Sequence, residues 1–319
     1  MVRRKNIIPV LSVDVNANQS NDSFEHLFHL FVRDCKIRNL SEHTLQYYKN
    51  ELFKFCKRLE REAVCTLPAS ITEEHIKEHV ILSMMREGLK ETTINANLRA
   101  IRSFFNFLER ECYVLENPLK KVKLVKQKKT VIQTFSRDEI HALLRQPNMN
   151  TFTGLRDYTM MMFLLETGVR VKELCGIRIN DINWNDGVVL IREAKGYKER
   201  NVPIQRIMKK QLGTYMQVRG QLEHDMLFVN IDNEPIAIRA IQQFIAKYGR
   251  MAGVKNVRCS PHTFRHTFAK MSVQNGADVF TLQAVLGHTS MDMVRNYVNM
   301  FSNEIHGNHR KFSPIEKLF

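Results

Sequence analysis

Cysteine is scarce in this chain: six in 319 residues, at positions 35, 56, 65, 112, 175 and 259, with no C-x-x-C pair and no histidine at ligand-like spacing. A disulfide frame and a zinc site are thereby excluded, leaving reduced, mostly buried small residues of a cytoplasmic protein. No apolar run reaches the ~20 residues that a membrane-spanning helix needs. Arg3-Arg4-Lys5 followed by Ile7 to Val13 imitates a secretory leader, but Pro9 and Ser12 break the run and Asp14 follows at once. No small-residue cleavage site appears either, so residues 1–22 are expected to form a flexible basic arm. Internal repeats and low-complexity segments are missing, and so are the aromatic stacking motifs of RNA-binding modules.

Positive charge is what the chain has in excess. Lys plus Arg outnumber Asp plus Glu by 48 to 33, and the pI is near 9.6. Residues 1–134 carry 23 basic and 16 acidic side chains, and residues 135–319 carry 25 and 17. Both halves are therefore candidates to touch one polyanion, as in a protein that wraps around DNA. The length is enough for two domains with their own cores.

Apolar periodicity predicts a mainly α fold with a small antiparallel sheet. Residues 23–119 form an all-α bundle. It holds a helix from Phe24 to about Cys35 and one after Ser41 carrying Leu45, Tyr48, Leu52, Phe55 and Leu59. A third helix runs from Thr72 through Ile76, Val80 and Met84 to Gly88, and a fourth carries Ile94, Leu98, Ile101, Phe105 and Leu108 behind a Thr92 or Thr93 cap. Asn117-Pro118 stops the bundle. Lys120, Lys121, Lys123, Lys126, Lys128 and Lys129 then crowd a linker over residues 120–134, expected to lie along phosphates where each neutralised charge releases counterions.

The second domain, 135–301, opens on a capping box of Ser136 and Glu139 flanked by Phe135 and Ile140. After a helix from about Arg156 to Glu166 the period changes. Ile177 to Ile182, Val188 to Ile191 and Asn201 to Ile204 are expected strands, with Asn185-Asp186-Gly187 as a turn. Helices resume after about Arg206, and residues 302–319 form a tail.

Within this domain several residues sit where they suit phosphodiester chemistry. A pentacoordinate phosphorane carries extra negative charge on its non-bridging oxygens, and fixed arginine forks meet it best. Arg170 follows Thr167-Gly168, a helix stop and restart, with Glu166 or Glu173 as its expected ion partner. His262 and Arg265 are three apart on a helix introduced by Ser260-Pro261, at the positive end of its dipole. His266, displaced around that helix, reads as structural. Gly287 ends a short helix and turns out His288, and Thr289-Ser290 opens a last helix, Met291 to about Val298, that carries Tyr297. A phenol is a competent nucleophile only among cations. Lys195, between two strands, is placed to protonate a leaving oxygen, with Lys198 as its rival.

In order and context these residues resemble the tyrosine recombinases, the phage-integrase family. The resemblance rests on Thr167-Gly168-Val169-Arg170 with Glu173-Leu174, the Lys195-Gly196 hairpin, His262-x-x-Arg265-His266-Thr267 and Leu286-Gly287-His288, nine residues before Tyr297. Ser41 to Leu45 with Tyr48, Thr93 to Phe105 and Glu116-Asn117-Pro118-Leu119 look like the family's helical core-binding domain. The hairpin departs slightly, with Ala194 where glycine often precedes the lysine. The resemblance implies a SAM-like core-binding domain and a mixed α/β catalytic domain of the DNA breaking-rejoining fold.

By the same resemblance, Tyr297 attacks a phosphate of a double-stranded recombination site. Arg170, Arg265 and His288 hold its non-bridging oxygens, His262 handles protons, Lys195 protonates the 5′ oxygen and Glu173 braces the site. No cofactor or metal is implied. A homotetramer, alone or together with a second related recombinase, would work through a Holliday junction, the tail 302–319 docking on a neighbour. Transposon-borne and chromosome-dimer-resolving recombinases are the most similar kinds. The alternatives are a type IB topoisomerase-like enzyme and a non-cleaving DNA-binding protein of the same fold, in which Tyr297→Phe would change nothing.

Overall fold

The computed structural model of the chain describes residues 23–127, 132–192 and 199–287, and divides into two compact units, Met1–Lys129 and Thr130–Phe319. The first unit is helical. Helices α1 (Phe24–Ile37) and α2 (Glu42–Arg61) begin at Ser23 and Ser41, whose hydroxyls accept the N–H groups of His26 and Thr44. Thr72 caps the next run: α3 (Glu73–His75), a wider π-helical stretch at Ile76–Leu82, and α4 (Ser83–Arg86). Ile76, Val80 and Met84 are buried along it, and Gly88 ends it at φ +71°.

Helix α5 (Glu91–Arg110) starts after the extended Lys90, not at Thr92 or Thr93. The Lys90 carbonyl accepts the N–H groups of Thr93 and Ile94, so the backbone opens this helix without a side-chain cap. Its apolar face carries Leu98, Ile101, Phe104 and Phe105 into the core shared with Phe31, Leu52 and Phe55. Phe31 and Phe104 meet edge to face with ring centroids 5.5 Å apart.

The start of the lysine-rich stretch packs on this unit. Leu119 and Val122 are buried and Val125 is half-buried, while Lys120, Lys121, Lys123 and Lys126 are exposed. The Asn95 amide donates to the Val125 carbonyl at 2.9 Å and accepts its N–H at 2.8 Å, and Arg102 donates to the Val122 carbonyl. Three apolar residues spaced by threes are too short a pattern to mark this packing in advance. Lys128 and Lys129 lie outside the described residues.

The second unit opens as expected on reciprocal Ser136–Glu139 capping of α6 (Arg137–Leu144). Helix α7 (Phe152–Thr167) starts a turn earlier than its apolar pattern suggests, because Thr151 accepts the Gly154 N–H. Met160, Met161, Phe163 and Leu164 are fully buried around it, so it is a core helix, apolar on several sides. Helix α8 (Val171–Cys175) follows. The sheet is antiparallel in the order β1 (Ile182–Asn183), β2 (Val188–Ile191), β3 (Arg200–Pro203), with Val189 opposite Val202.

The expected strand from Ile177 is shortened to β1. Ile177 and Ile179 bond instead to Leu227 and Asp225, and Ile179–Asp181 makes a 3-10 turn in which the Asp181 carboxylate accepts the Arg178 N–H. Helices α9 (Arg206–Arg219), α10 (Ile238–Met251), α11 (Pro261–Gln274) and α12 (Val279–Leu286) follow, interrupted by an antiparallel bridge of Val229 with Pro235. α7 packs against α9 and α11, and α12 against β3.

All six cysteines are unpaired, but only Cys35 is buried; Cys65 and Cys112 are exposed in the connections that follow α2 and α5. No described helix is long and apolar enough to cross a membrane.

Candidate active site

Gly168 ends α7 in the left-handed region, φ +61°. A Cβ there would lie 2.3 Å from the Phe268 ring, so both conformation and space demand glycine. The turn sets Arg170 at the N-cap of α8. Its N–H donates to Glu173 Oε2 at 2.7 Å and its Nη1 to Oε1 at 2.9 Å. Of the two expected partners the structure selects Glu173; Glu166 accepts the Gln205 N–H instead.

Helix α11 begins at Ser260, which caps Thr263, with Pro261 in its first turn. One turn in, Arg265 is only 4% exposed. Its Nη1 donates to the Gly168 carbonyl at 2.6 Å and its Nη2 to the Leu286 carbonyl at 2.8 Å. The Arg170 Nη2 donates to the Gly287 carbonyl at 3.3 Å. Arg200, at the start of β3, donates through Nε to the Val285 carbonyl at 2.7 Å, and through Nη1 and Nη2 to the Glu173 carboxylate at 3.0 and 2.9 Å.

Three consecutive carbonyls at the end of α12, residues 285 to 287, thus each accept from a different guanidinium. The last carbonyls of a helix lack intrahelical partners and carry its negative dipole end, so cations gather there readily. Arg170 and Arg265, 95 residues apart in sequence, are brought to one place, immediately before position 288.

Burial pushes the Glu173 carboxyl up, but the Arg200 guanidinium, the Arg170 N–H and the Arg170 guanidinium outweigh it and hold the group below the ordinary carboxylate range. Burial lowers His266, and the neighbouring His262 and Arg265 act in the same direction. His262 is exposed at the start of α11. With His266, Arg250 and Arg258 it lines an open cavity of ≈ 450 Å³. Val254, Val257 and Pro261 line the same cavity, and neither Arg170 nor Arg265 reaches it.

Lys195, Lys198, His288 and Tyr297 lie outside the described residues, as does the tail 302–319. The lysines at 120, 121, 123 and 126 belong to the first unit. Sequence reasoning missed Arg200. The available signal was alternation: Arg200 lies two residues before the buried Val202 and so shares its inward face. It also missed the carbonyl acceptors, which no side chain announces.

Two family models match the chain: Phage integrase family over residues 133–304 and Phage integrase, N-terminal SAM-like domain over residues 29–112. The chain is 31% identical to tyrosine recombinase XerC of Thermodesulfovibrio yellowstonii over 289 residues, covering 87% of this chain and 92% of the relative. It is also 31% identical to tyrosine recombinase XerD of Staphylococcus haemolyticus over 282 residues, covering 87% and 94%. A crystal structure of the XerH site-specific recombinase bound to palindromic difH substrate, a post-cleavage complex, shares the fold. Its TM-score is 0.72 and its identity 20%, over 89% of this chain and 84% of that one. With both halves of the chain matched and its arginines gathered around one helix end, the chain belongs to the phage integrase family and is a tyrosine-type site-specific recombinase.

Proposed function

We propose that the chain cuts and rejoins double-stranded DNA at a recombination site through a 3′-phosphotyrosyl intermediate, with Tyr297 as the nucleophile. The phenolic oxygen forms a bond to phosphorus while the bond from phosphorus to the 5′ oxygen breaks. The phenol proton leaves with the help of His262, and the 5′ oxygen takes a proton from Lys195. Arg170, Arg265 and His288 hold the non-bridging oxygens, and Glu173 braces Arg170. Attack by a 5′ hydroxyl on the phosphotyrosine reverses the step, so the strand reseals without ATP. The reading calls for no metal ion or cofactor.

The observation that carries it is the meeting of Arg170 and Arg265 on the adjacent carbonyls of Gly287 and Leu286. Two guanidiniums fixed in one place, next in sequence to His288, are what a phosphorane's charge requires. The net charge of +15 supports DNA as partner. The exposed Lys120, Lys121, Lys123 and Lys126, with Lys128 and Lys129, supply phosphate contacts. The working assembly is a homotetramer on two duplexes, or one shared with a second related recombinase, and it acts in the cytoplasm, where six unpaired thiols are at home. XerH, of the same fold, is described bound to a palindromic substrate, and a palindrome suits paired protomers.

Covalent trapping tests the reading. Purified protein and its Tyr297→Phe variant are mixed with nicked duplexes covering the DNA that flanks its gene, without metal or ATP. An SDS-resistant, protease-sensitive adduct from the wild type alone is expected. Equal adducts from both proteins would remove Tyr297 from the role.

A further inference from the structure

We propose that Arg200 is a positioning residue for strand cleavage, acting through Glu173 on Arg170; the proposal rests on the phosphotyrosyl reading. Its side chain is 10% exposed and makes three hydrogen bonds, two to the Glu173 carboxylate and one to the Val285 carbonyl. Such a side chain is held on both sides: by the acid that braces Arg170 and by the helix end that leads to His288.

A second feature is shaped around it. Gly287 stops α12 at φ +63°, and a Cβ there would stand 2.9 Å from Arg200 Nη1 and 3.0 Å from its Cδ. The glycine therefore both turns the chain and leaves room for the guanidinium. Just after β2, Arg192 is held in a similar way, its Nε and Nη2 each 2.7 Å from the buried Asp181 carboxylate.

Charge gives Arg200 its part in cleavage. Glu173 is nearly without solvent contact and lies between two guanidiniums, so the trio carries one surplus positive charge. Without Arg200, the Arg170–Glu173 pair is neutral and the carboxylate draws on Arg170 alone. A phosphorane beside Arg170 then meets a weaker field, and interactions of this kind are strong in a water-poor site. Arg200 need not touch DNA to have this effect.

The test compares Arg200→Gln and Arg200→Lys with wild type, using the duplex that the wild type cleaves in the trapping assay. Two forms are made: the natural phosphodiester and a methylphosphonate, in which a neutral methyl replaces one charged non-bridging oxygen. Arg200→Gln is expected to bind DNA as wild type does and to cleave the phosphodiester about 10- to 100-fold more slowly, less than the loss from deleting a direct oxyanion donor. On the methylphosphonate the gap narrows, because less charge awaits compensation. Arg200→Lys, which keeps the charge but not the fork, falls between.

Wild-type rates for Arg200→Gln, or the same slowing on both substrates, would overturn the proposal, since a purely structural role lowers both alike. If Arg200→Gln does not fold, Arg200→Lys decides by the same comparison. A wild type that forms no adduct overturns the phosphotyrosyl reading and this inference with it; a cleaving wild type with unaffected variants overturns the inference alone.

Discussion

Replacing Glu173 by alanine should be among the most destabilising single changes in the second unit. The carboxylate is 2% exposed and accepts four hydrogen bonds, from the Arg170 N–H and Nη1 and from both terminal nitrogens of Arg200. Deleting one partner of a buried ion pair costs about 3–5 kcal/mol because the other charge stays behind. Losing the acceptor at the start of α8 adds about 1 kcal/mol. Against this, the Arg170 side chain is 25% exposed and rehydrates in part, which brings the expected loss to about 3–4 kcal/mol.

The single tryptophan, Trp184, lies in the second unit. Its fluorescence in a urea titration therefore follows the affected unit alone. Glu173→Gln, which keeps an acceptor oxygen, should lose about half as much. A Glu173→Ala variant within about 0.5 kcal/mol of wild type would refute the bracing role.

Acid tests the same group. Because the folded-state pKa of Glu173 is held below its ordinary value, its contribution is fully present above the unfolded pKa of about 4.3 and disappears as pH falls through the folded value. The stability gap between wild type and Glu173→Gln should therefore close in strong acid. Gly168→Ala should cost about 1–2 kcal/mol from its left-handed φ alone, more from the 2.3 Å approach to Phe268, and should slow cleavage by moving the carbonyl that holds Arg265. Arg170→Ala or Arg265→Ala should each raise the cleavage barrier by about 3–4 kcal/mol while DNA binding persists; near-normal rates in single turnover would remove that arginine from the site. Neutralising Lys120, Lys121, Lys123 and Lys126 should weaken binding alike on all sequences and reduce the salt slope by about 0.9 for each phosphate left without its lysine. A sequence-selective loss would mean that the stretch reads bases.

Much of the fold was legible because its causes are local. Ser41, Thr72, Ser136 and Ser260 cap the helices that their position announces, since a side-chain oxygen and an N–H three residues on are all a cap needs. Gly168 and Gly287 mark helix ends because a left-handed φ is cheap only for glycine. The candidate site residues Arg170, His262 and Arg265 stood out by residue type and local context. Where a partner far along the chain decides, local pattern fails. Ile177 to Ile182, ahead of a turn, reads as a strand, yet the backbone of residues 225–227 takes its first half away.

The sequence by itself determined the kind of elements, the excess of positive charge and the order of the residues proposed to meet the phosphate. Only the tertiary structure decided that Arg170 pairs with Glu173, that Arg265 is buried on the carbonyls of Gly168 and Leu286, and that Arg200 completes the cluster. The physical reason is the same throughout. Caps and periods act over one helical turn, whereas a buried ion pair or a carbonyl at a helix end finds its partner only when distant segments pack, and backbone acceptors have no letter in the sequence.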